Sequence, residues 1–357
     1  MIEITRGNPP VEAIPYDEIL LACTEVLATY KNSLNKYGSS MGFLQLREFL
    51  STKFNVPIEQ IIIGNGGMNI FSMLITLLLR ENKNVYVELP TYDFALDVFH
   101  SQKAKIRGIE VEKDGIDVIR LEKYLVQVTP SMLYVIPDFQ NPTGATISLE
   151  KRLKLVELAY KYNFWIVEDA AYRSLRYRGA NLPSLYELCP ERVLHIGSFS
   201  KTITPSLRVG YLVGNQEIVK NIAEIARLNY IFPNNLSQAI VYELIKSNKY
   251  QIHLENIRRQ YSECLQVLLS TLSTNTIEKI SWFDVEGGFF VGLFCDFEVS
   301  TYKFLELTYR QNISLLSGDN FFSNFHKGIF VRICFPNMVK PDIEKFVNSM
   351  KTISTTL

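Results

Sequence analysis

Between residues 60 and 214 the chain alternates short apolar runs with longer stretches of helical apolar period. A short apolar run bounded by turn formers reads as a buried strand, and a 3.6-residue recurrence reads as a helix packed on one face. Seven strands are predicted on this basis: Gln60–Gly64, Val85–Leu89, Lys105–Val111, Met132–Pro137, Phe164–Glu168, Val193–Gly197 and Val209–Gly214. Helices are predicted over Met68–Arg80 and over Leu149–Lys161, the latter opened by Ser148 as an N-cap. Strands that are apolar throughout and separated by helices imply an α/β fold, a largely parallel sheet covered on both faces.

After Gly214 the pattern turns helical, and Leu236–Leu272 is long enough to need a break or to bridge two domains. Gly287-Gly288 then opens a strand predicted over Phe289–Cys295, a helix is predicted over Tyr302–Gln311, a strand over Ile329–Phe335 and a closing helix over Asp342–Met350. The expected division is an N-terminal arm, residues 1–40, counted with the small domain, a large domain at 41–235 and a small α+β domain at 236–357. No internal repeat or low-complexity tract interrupts it.

Composition narrows the function classes. The chain has 357 residues, enough for one large domain and a smaller one, and its apolar share of 47% is that of a globular protein. Lys+Arg and Asp+Glu both total 37, so no net field draws the whole chain to nucleic acid or to an anionic membrane. The longest apolar stretch, Ile70–Leu79, is too short to span a bilayer, and no signal peptide is expected. Five cysteines, Cys23, Cys189, Cys264, Cys295 and Cys334, are odd in number and scattered, which suits reduced core residues in the cytoplasm. Four isolated histidines offer no metal-ligand spacing.

Ligands of open α/β sheets bind beyond the carboxyl ends of the strands. Here Gly66-Gly67 follows the first predicted strand, Tyr92 the second, Asn141 the fourth, Asp169 the fifth and Lys201 the sixth, with Arg208 just before the seventh. A lysine beyond a strand end can form a Schiff base with an aldehyde cofactor, which points to pyridoxal 5′-phosphate (PLP). Gly66 and Gly67 would offer backbone N–H groups at a helix start to the phosphate, and Ser198 and Arg208 would complete its cradle. Asp169 would pair with the pyridine nitrogen, Asn141 and Tyr172 would bond the ring oxygen, and Tyr92 would stack on the ring face. Taken singly each is an ordinary turn, cap or solvated side chain. Their joint arrival at matching strand ends carries the reading.

These residues resemble the class I/II aminotransferases of the fold-type-I PLP enzymes, and the resemblance runs nearly the whole chain. Asn141-Pro-Thr-Gly144 and Val167-Glu-Asp-Ala-Ala-Tyr172 are similar to that family's ring-binding motifs, and Ser198-Phe-Ser-Lys201 through Tyr211 to its lysine segment. The seven-residue step from Lys201 to Arg208 resembles the 2-aminoadipate, kynurenine and multi-substrate branch. The resemblance implies a PLP-dependent transaminase that moves an amino group between an L-amino acid and a 2-oxo acid by a ping-pong route. A decarboxylase, lyase or cyclase on the same scaffold is the alternative. It implies Lys201 as the catalytic base and places Met68 and Ser200 among the cofactor contacts. It also implies substrate binding by Arg332, in Ile329-Phe-Val-Arg-Ile-Cys-Phe335, by Asn141 and by Gly7 of the arm; Arg6 beside it is expected as a solvated surface residue, with contact to an acidic or polar substrate side chain as the alternative. Tyr37, in Tyr37-Gly-Ser-Ser-Met41, matches a tyrosine that reaches the neighbouring subunit's phosphate, so a homodimer with shared sites is expected. Where relatives carry Ser or Ala and then Gln, this chain has Gly67 and Met68, leaving the phosphate to backbone donors. Some transcription regulators fuse this fold to a winged helix. With the arm starting so near Met1, no such domain is expected here.

Overall fold

The structure, a computed structural model, describes residues 1–5, 7–275, 277–324 and 326–357. Arg6, expected as a solvated surface residue with a substrate contact as the alternative, lies outside the described residues. The sheet runs, from one edge to the other, Ile61–Gly64, Gly210–Val213, Val193–Ser198, Trp165–Asp169, Met132–Val135, Asn84–Leu89, Lys105–Glu112 and Gly115–Ile116. The seven predicted strands are all there, with ends shifted by a residue or two. The eighth, Gly115–Ile116, turns back on Lys105–Glu112 through a two-residue hairpin, with Gly115 at φ 102°. Two residues are too few to leave a period in the sequence.

Five strands pair in parallel, from Val193–Ser198 across to Lys105–Glu112, so their carboxyl ends share one edge. Gly210–Val213 runs antiparallel to both of its neighbours. The reversal delivers the amino end of that strand, and therefore Arg208, to the same edge. Side chains alternate across the sheet. Ile62, Val87, Tyr134, Val167, Leu194 and Leu212 enter one core, and Ile63, Tyr86, Leu133, Ile166, Val193 and Val213 the other.

The first core continues into a three-stranded antiparallel sheet, Ile280–Trp282, Phe290–Cys295 and Ile329–Cys334, which carries Arg332. At the other end of the chain Ile2–Glu3 pairs with Ile313–Ser314. The long helical stretch breaks at Ser247, whose backbone is extended, into Asn235–Lys246 and Asn248–Thr274. The closing helix is longer than predicted, Lys340–Thr356, since Pro341 fits a first turn that needs no N–H. A helix over Tyr16–Thr29 follows Pro15 and has Asp17 and Glu18 in its first turn. Among the described residues no helix is long and apolar enough to cross a membrane.

Candidate active site

A cavity of about 240 Å³ opens where the parallel strands end. Gly67, Met68, Tyr92, Asn141, Asp169, Tyr172, Ser198, Ser200, Lys201 and Arg208 line it, ten of the residues predicted from sequence. A larger cleft of about 790 Å³ lies between Leu89-Pro90 and the 327–330 segment and contains none of them. Size therefore does not choose the site; the chemistry of the walls does.

One wall is built for an anion. Gly66, at φ 94°, caps the helix Gly67–Leu78, and a Cβ there would lie 2.6 Å from Arg208 Nη2. Only glycine lets that guanidinium lie against the helix start. Gly210 is required too, because its Cβ would stand 2.3 Å from the Gly67 nitrogen. Arg208 holds φ at 53°, a left-handed conformation costly for a residue with a side chain, and its exposed guanidinium makes one long bond of 3.5 Å to the Asn65 carbonyl. It lines the cavity with the helix start at Gly67 and with Ser198, a donor set for phosphate oxygens.

The same cavity carries a carboxylate. Asp169 ends its strand with its open edge on the cavity. Its Oδ2 accepts 2.8 Å from the Tyr134 hydroxyl and its Oδ1 accepts 3.2 Å from the Ala171 N–H. Burial pushes its proton affinity up, while those two donors and the charges of Lys201 and His195 oppose the shift. The side of the carboxylate toward the cavity is left for a cationic or N–H partner. The fit to a phosphorylated pyridine is good: one cavity offers donors suited to an anion and a carboxylate suited to a ring nitrogen.

Lys201 lines the same cavity. Its Nζ donates 2.7 Å to the Gly7 carbonyl of the arm and sits 5.8 Å from the Tyr172 ring centroid. Burial lowers its proton affinity, and Arg332 and Arg208 add to that against Cys334 and Asp169. Such an amine yields its proton more readily than a surface lysine. Arg332 Nη1 donates 3.0 Å to Asn141 Oδ1 and Nη2 donates 2.8 Å to the Thr5 carbonyl. The guanidinium is packed between the Phe290 and Phe321 rings, at 4.5 and 4.7 Å, and its Nε has no partner among the described residues. Gly7 passes so close to Phe290 that a Cβ would meet the ring at 2.7 Å.

Tyr37 stands apart. It is 82% exposed, packs edge-on against Phe232 and touches nothing in this cavity. Asn8, Phe71, Ile136, Ala171, Ile196 and Pro205 also line the cavity, and Tyr134 supports it through Asp169; the sequence reading names none of these as site residues. Tyr134 had a readable signal, since a tyrosine inside a buried strand needs a partner for its hydroxyl.

A sequence profile of the family described as aminotransferase class I and II matches residues 1–350. A 2-aminoadipate transaminase of Thermus thermophilus is 29% identical over 328 residues, 91% of this chain and 82% of that one. An aromatic-amino-acid aminotransferase of Thermococcus litoralis is 27% identical over 370 residues, covering 100% of this chain and 88% of its own. Among solved structures, an α-aminoadipate aminotransferase from Thermus thermophilus, complexed with N-(5′-phosphopyridoxyl)-L-leucine, superposes with a TM-score of 0.94. It is 26% identical and covers 100% of this chain and 94% of that one.

Proposed function

The chain belongs to the class I and II aminotransferases and is a PLP-dependent transaminase, and from that premise we propose that it exchanges an amino group between an L-amino acid and a 2-oxo acid by a ping-pong route. One observation carries the assignment of residues: Lys201, Asp169, Asn141 and Arg208 converge on one cavity with Arg332 bonded to Asn141.

When bound, PLP supplies an aldehyde that takes up the amino group and a ring that accepts electrons from the substrate Cα. Arg208, Ser198, Ser200 and the backbone N–H groups of Gly67 and Met68 hold the phosphate. Asp169 pairs with the ring nitrogen, Asn141 and Tyr172 bond the ring oxygen, and Tyr92 covers the ring face. Arg332 binds the substrate carboxylate, which fixes the Cα bond to be broken. Asn141 orients Arg332, and Gly7, having no side chain, lets the arm pack directly against Phe290 beside the substrate. The lowered proton affinity of Lys201 leaves Nζ a larger neutral fraction, with which it takes the Cα proton.

The active form is proposed to be a cytoplasmic homodimer in which Tyr37 serves the partner's phosphate. Support comes from the exposed Tyr37, with the exposed Leu27 and Leu236 lining a groove that includes its neighbour Phe232, and from five cysteines that form no disulfide. We also keep the arm with the small domain, on the pairing of Ile2–Glu3 with Ile313–Ser314.

The test is to load the purified protein with PLP, reduce it with borohydride and map the fixed group, which is expected on the Lys201 peptide. Amino donor should yield a 2-oxo acid, with parallel double-reciprocal lines when the second substrate is varied. Release of an amine or ammonia instead would transfer the protein to another PLP reaction. Lys201→Ala should lower turnover by at least about a thousandfold. Undiminished turnover would end this assignment.

A further inference from the structure

We infer that Tyr134 is a positioning residue for the reaction, donating its hydroxyl proton to Asp169 so that the carboxylate keeps its charge and its aim at the cofactor's ring nitrogen. The inference rests on the reading above that Asp169 faces that nitrogen.

The sheet itself makes the contact. Tyr134 pairs in register with Val167 on the neighbouring strand, and Asp169 lies two residues further along on the same face. A tyrosine reaches diagonally over that interval, and its hydroxyl meets Asp169 Oδ2 at 2.8 Å. The ring cannot swing away. It is 1% exposed and wedged between Phe71 and Phe99, with centroids at 5.1 and 6.0 Å. Burial and the nearby Asp169 charge hold the Tyr134 phenol well above its ordinary value, so it remains a donor throughout the working pH range.

The energetic need is specific. Two arrangements of one proton compete between Asp169 and a pyridine nitrogen: a carboxylate beside a charged ring, or a carboxylic acid beside a neutral ring. Burial favours the neutral pair, because charge is poorly solvated there. A hydroxyl donating to Oδ2 strengthens only with the carboxylate form, so it biases the proton toward the ring. The charged ring is the better acceptor of electrons from the substrate Cα. Asp169 has one other donor among the described residues, the Ala171 N–H at 3.2 Å on Oδ1. Oδ2 depends on Tyr134.

Tyr134→Phe removes one oxygen and keeps the ring packing, so the fold is expected to survive. The holoenzyme is prepared with PLP isotope-labelled at the ring nitrogen, and the nitrogen resonance is recorded beside steady-state kinetics. Tyr134→Phe should move the resonance toward that of a neutral pyridine and lower kcat about tenfold or more, with KM for the amino donor unchanged. Tyr86→Phe is the control: it deletes a buried hydroxyl one strand away that, among the described residues, bonds only the Tyr124 and Val128 carbonyls. It should leave the resonance in place. In an Asp169→Asn background the Tyr134→Phe effect should vanish.

A nitrogen as fully protonated in Tyr134→Phe as in the parent, or moved equally by Tyr86→Phe, would overturn the role of Tyr134. A resonance unmoved by Asp169→Asn alone would overturn the assignment of Asp169, and that of Tyr134 with it.

Discussion

Asp138 and Asp169 lie at the ends of neighbouring segments of the same sheet, and their surroundings are opposite. Asp138, 3% exposed, is ringed by Arg152 at 2.7 Å, Arg173 at 3.0 Å and Arg176 at 3.4 Å. Burial alone would raise its proton affinity, but the arginine charges and hydrogen bonds reverse that, and it is held below the ordinary carboxylate range. Asp169 has one hydroxyl, one amide and an open edge, and its proton affinity is raised. A carboxylate surrounded by cations ties segments together. One left with an unfilled side in a cavity has been kept for something else to bind.

The contrast is tested most strongly by making the same change in both. Asp138→Asn leaves three guanidinium groups around a neutral amide and should cost about 3–5 kcal/mol in denaturant unfolding, with kcat of the remaining folded protein little changed. Asp169→Asn should leave the cofactor-free stability within about 1 kcal/mol and reduce turnover about a hundredfold or more. If the two costs came out reversed, Asp169 would be the structural carboxylate and the site reading would fail.

Glu88 sharpens the comparison by showing a third condition, a buried carboxyl with no cation paired to it among the described residues. Its Oε2 accepts 2.9 Å from the Ile136 N–H and its Oε1 has no partner among the described residues. Burial pushes its value from 4.5 up to about 8. Between those values the folded chain holds a proton that the unfolded chain has lost, so this group makes stability fall as pH rises through that window and level off above it. Glu88→Gln cannot ionise. Its melting temperature relative to the parent should therefore climb between pH 5 and pH 9, by several degrees, in paired thermal scans. A flat difference would mean that Glu88 is charged in the fold at neutral pH.

The smallest effect belongs to the surface. Arg227 and Glu224 pair at 3.0 Å with both side chains more than half exposed, 57% and 62%. Arg227→Ala should change unfolding free energy by no more than about 0.5 kcal/mol. A larger loss would show that distance alone, without desolvation, sets the worth of an ion pair here.

Much of the sheet edge could be read from residue order, because apolar runs mark strands and the residue after each run must sit at one end of its strand. That is how Asp169, Lys201 and Arg208 were found together. Pairings between distant segments were not readable. Asp138 meets Arg152, Arg173 and Arg176 across 14, 35 and 38 positions, and nothing in the spacing of those four announces it. Tyr134 hides in a strand whose pattern is uniformly apolar, although a tyrosine buried there implies a partner for its hydroxyl. The helix Tyr16–Thr29 was absorbed into the arm, despite Pro15 before it and two acids in its first turn. The interval 115–116 was lost because a two-residue strand has no period.

Lys201 and Arg208 leave and rejoin the sheet at Ser198 and Gly210, which are opposite each other in register, and the Phe199 N–H closes the excursion 3.1 Å from the Val209 carbonyl. The span between amine and guanidinium is thus gauged by a single stapled loop, whatever happens in the arm or the C-terminal sheet. A swing of those outer parts would carry substrate toward or away from a pair whose own spacing stays constant, so the reach of the chemistry and the grip on its anchor cannot drift out of step.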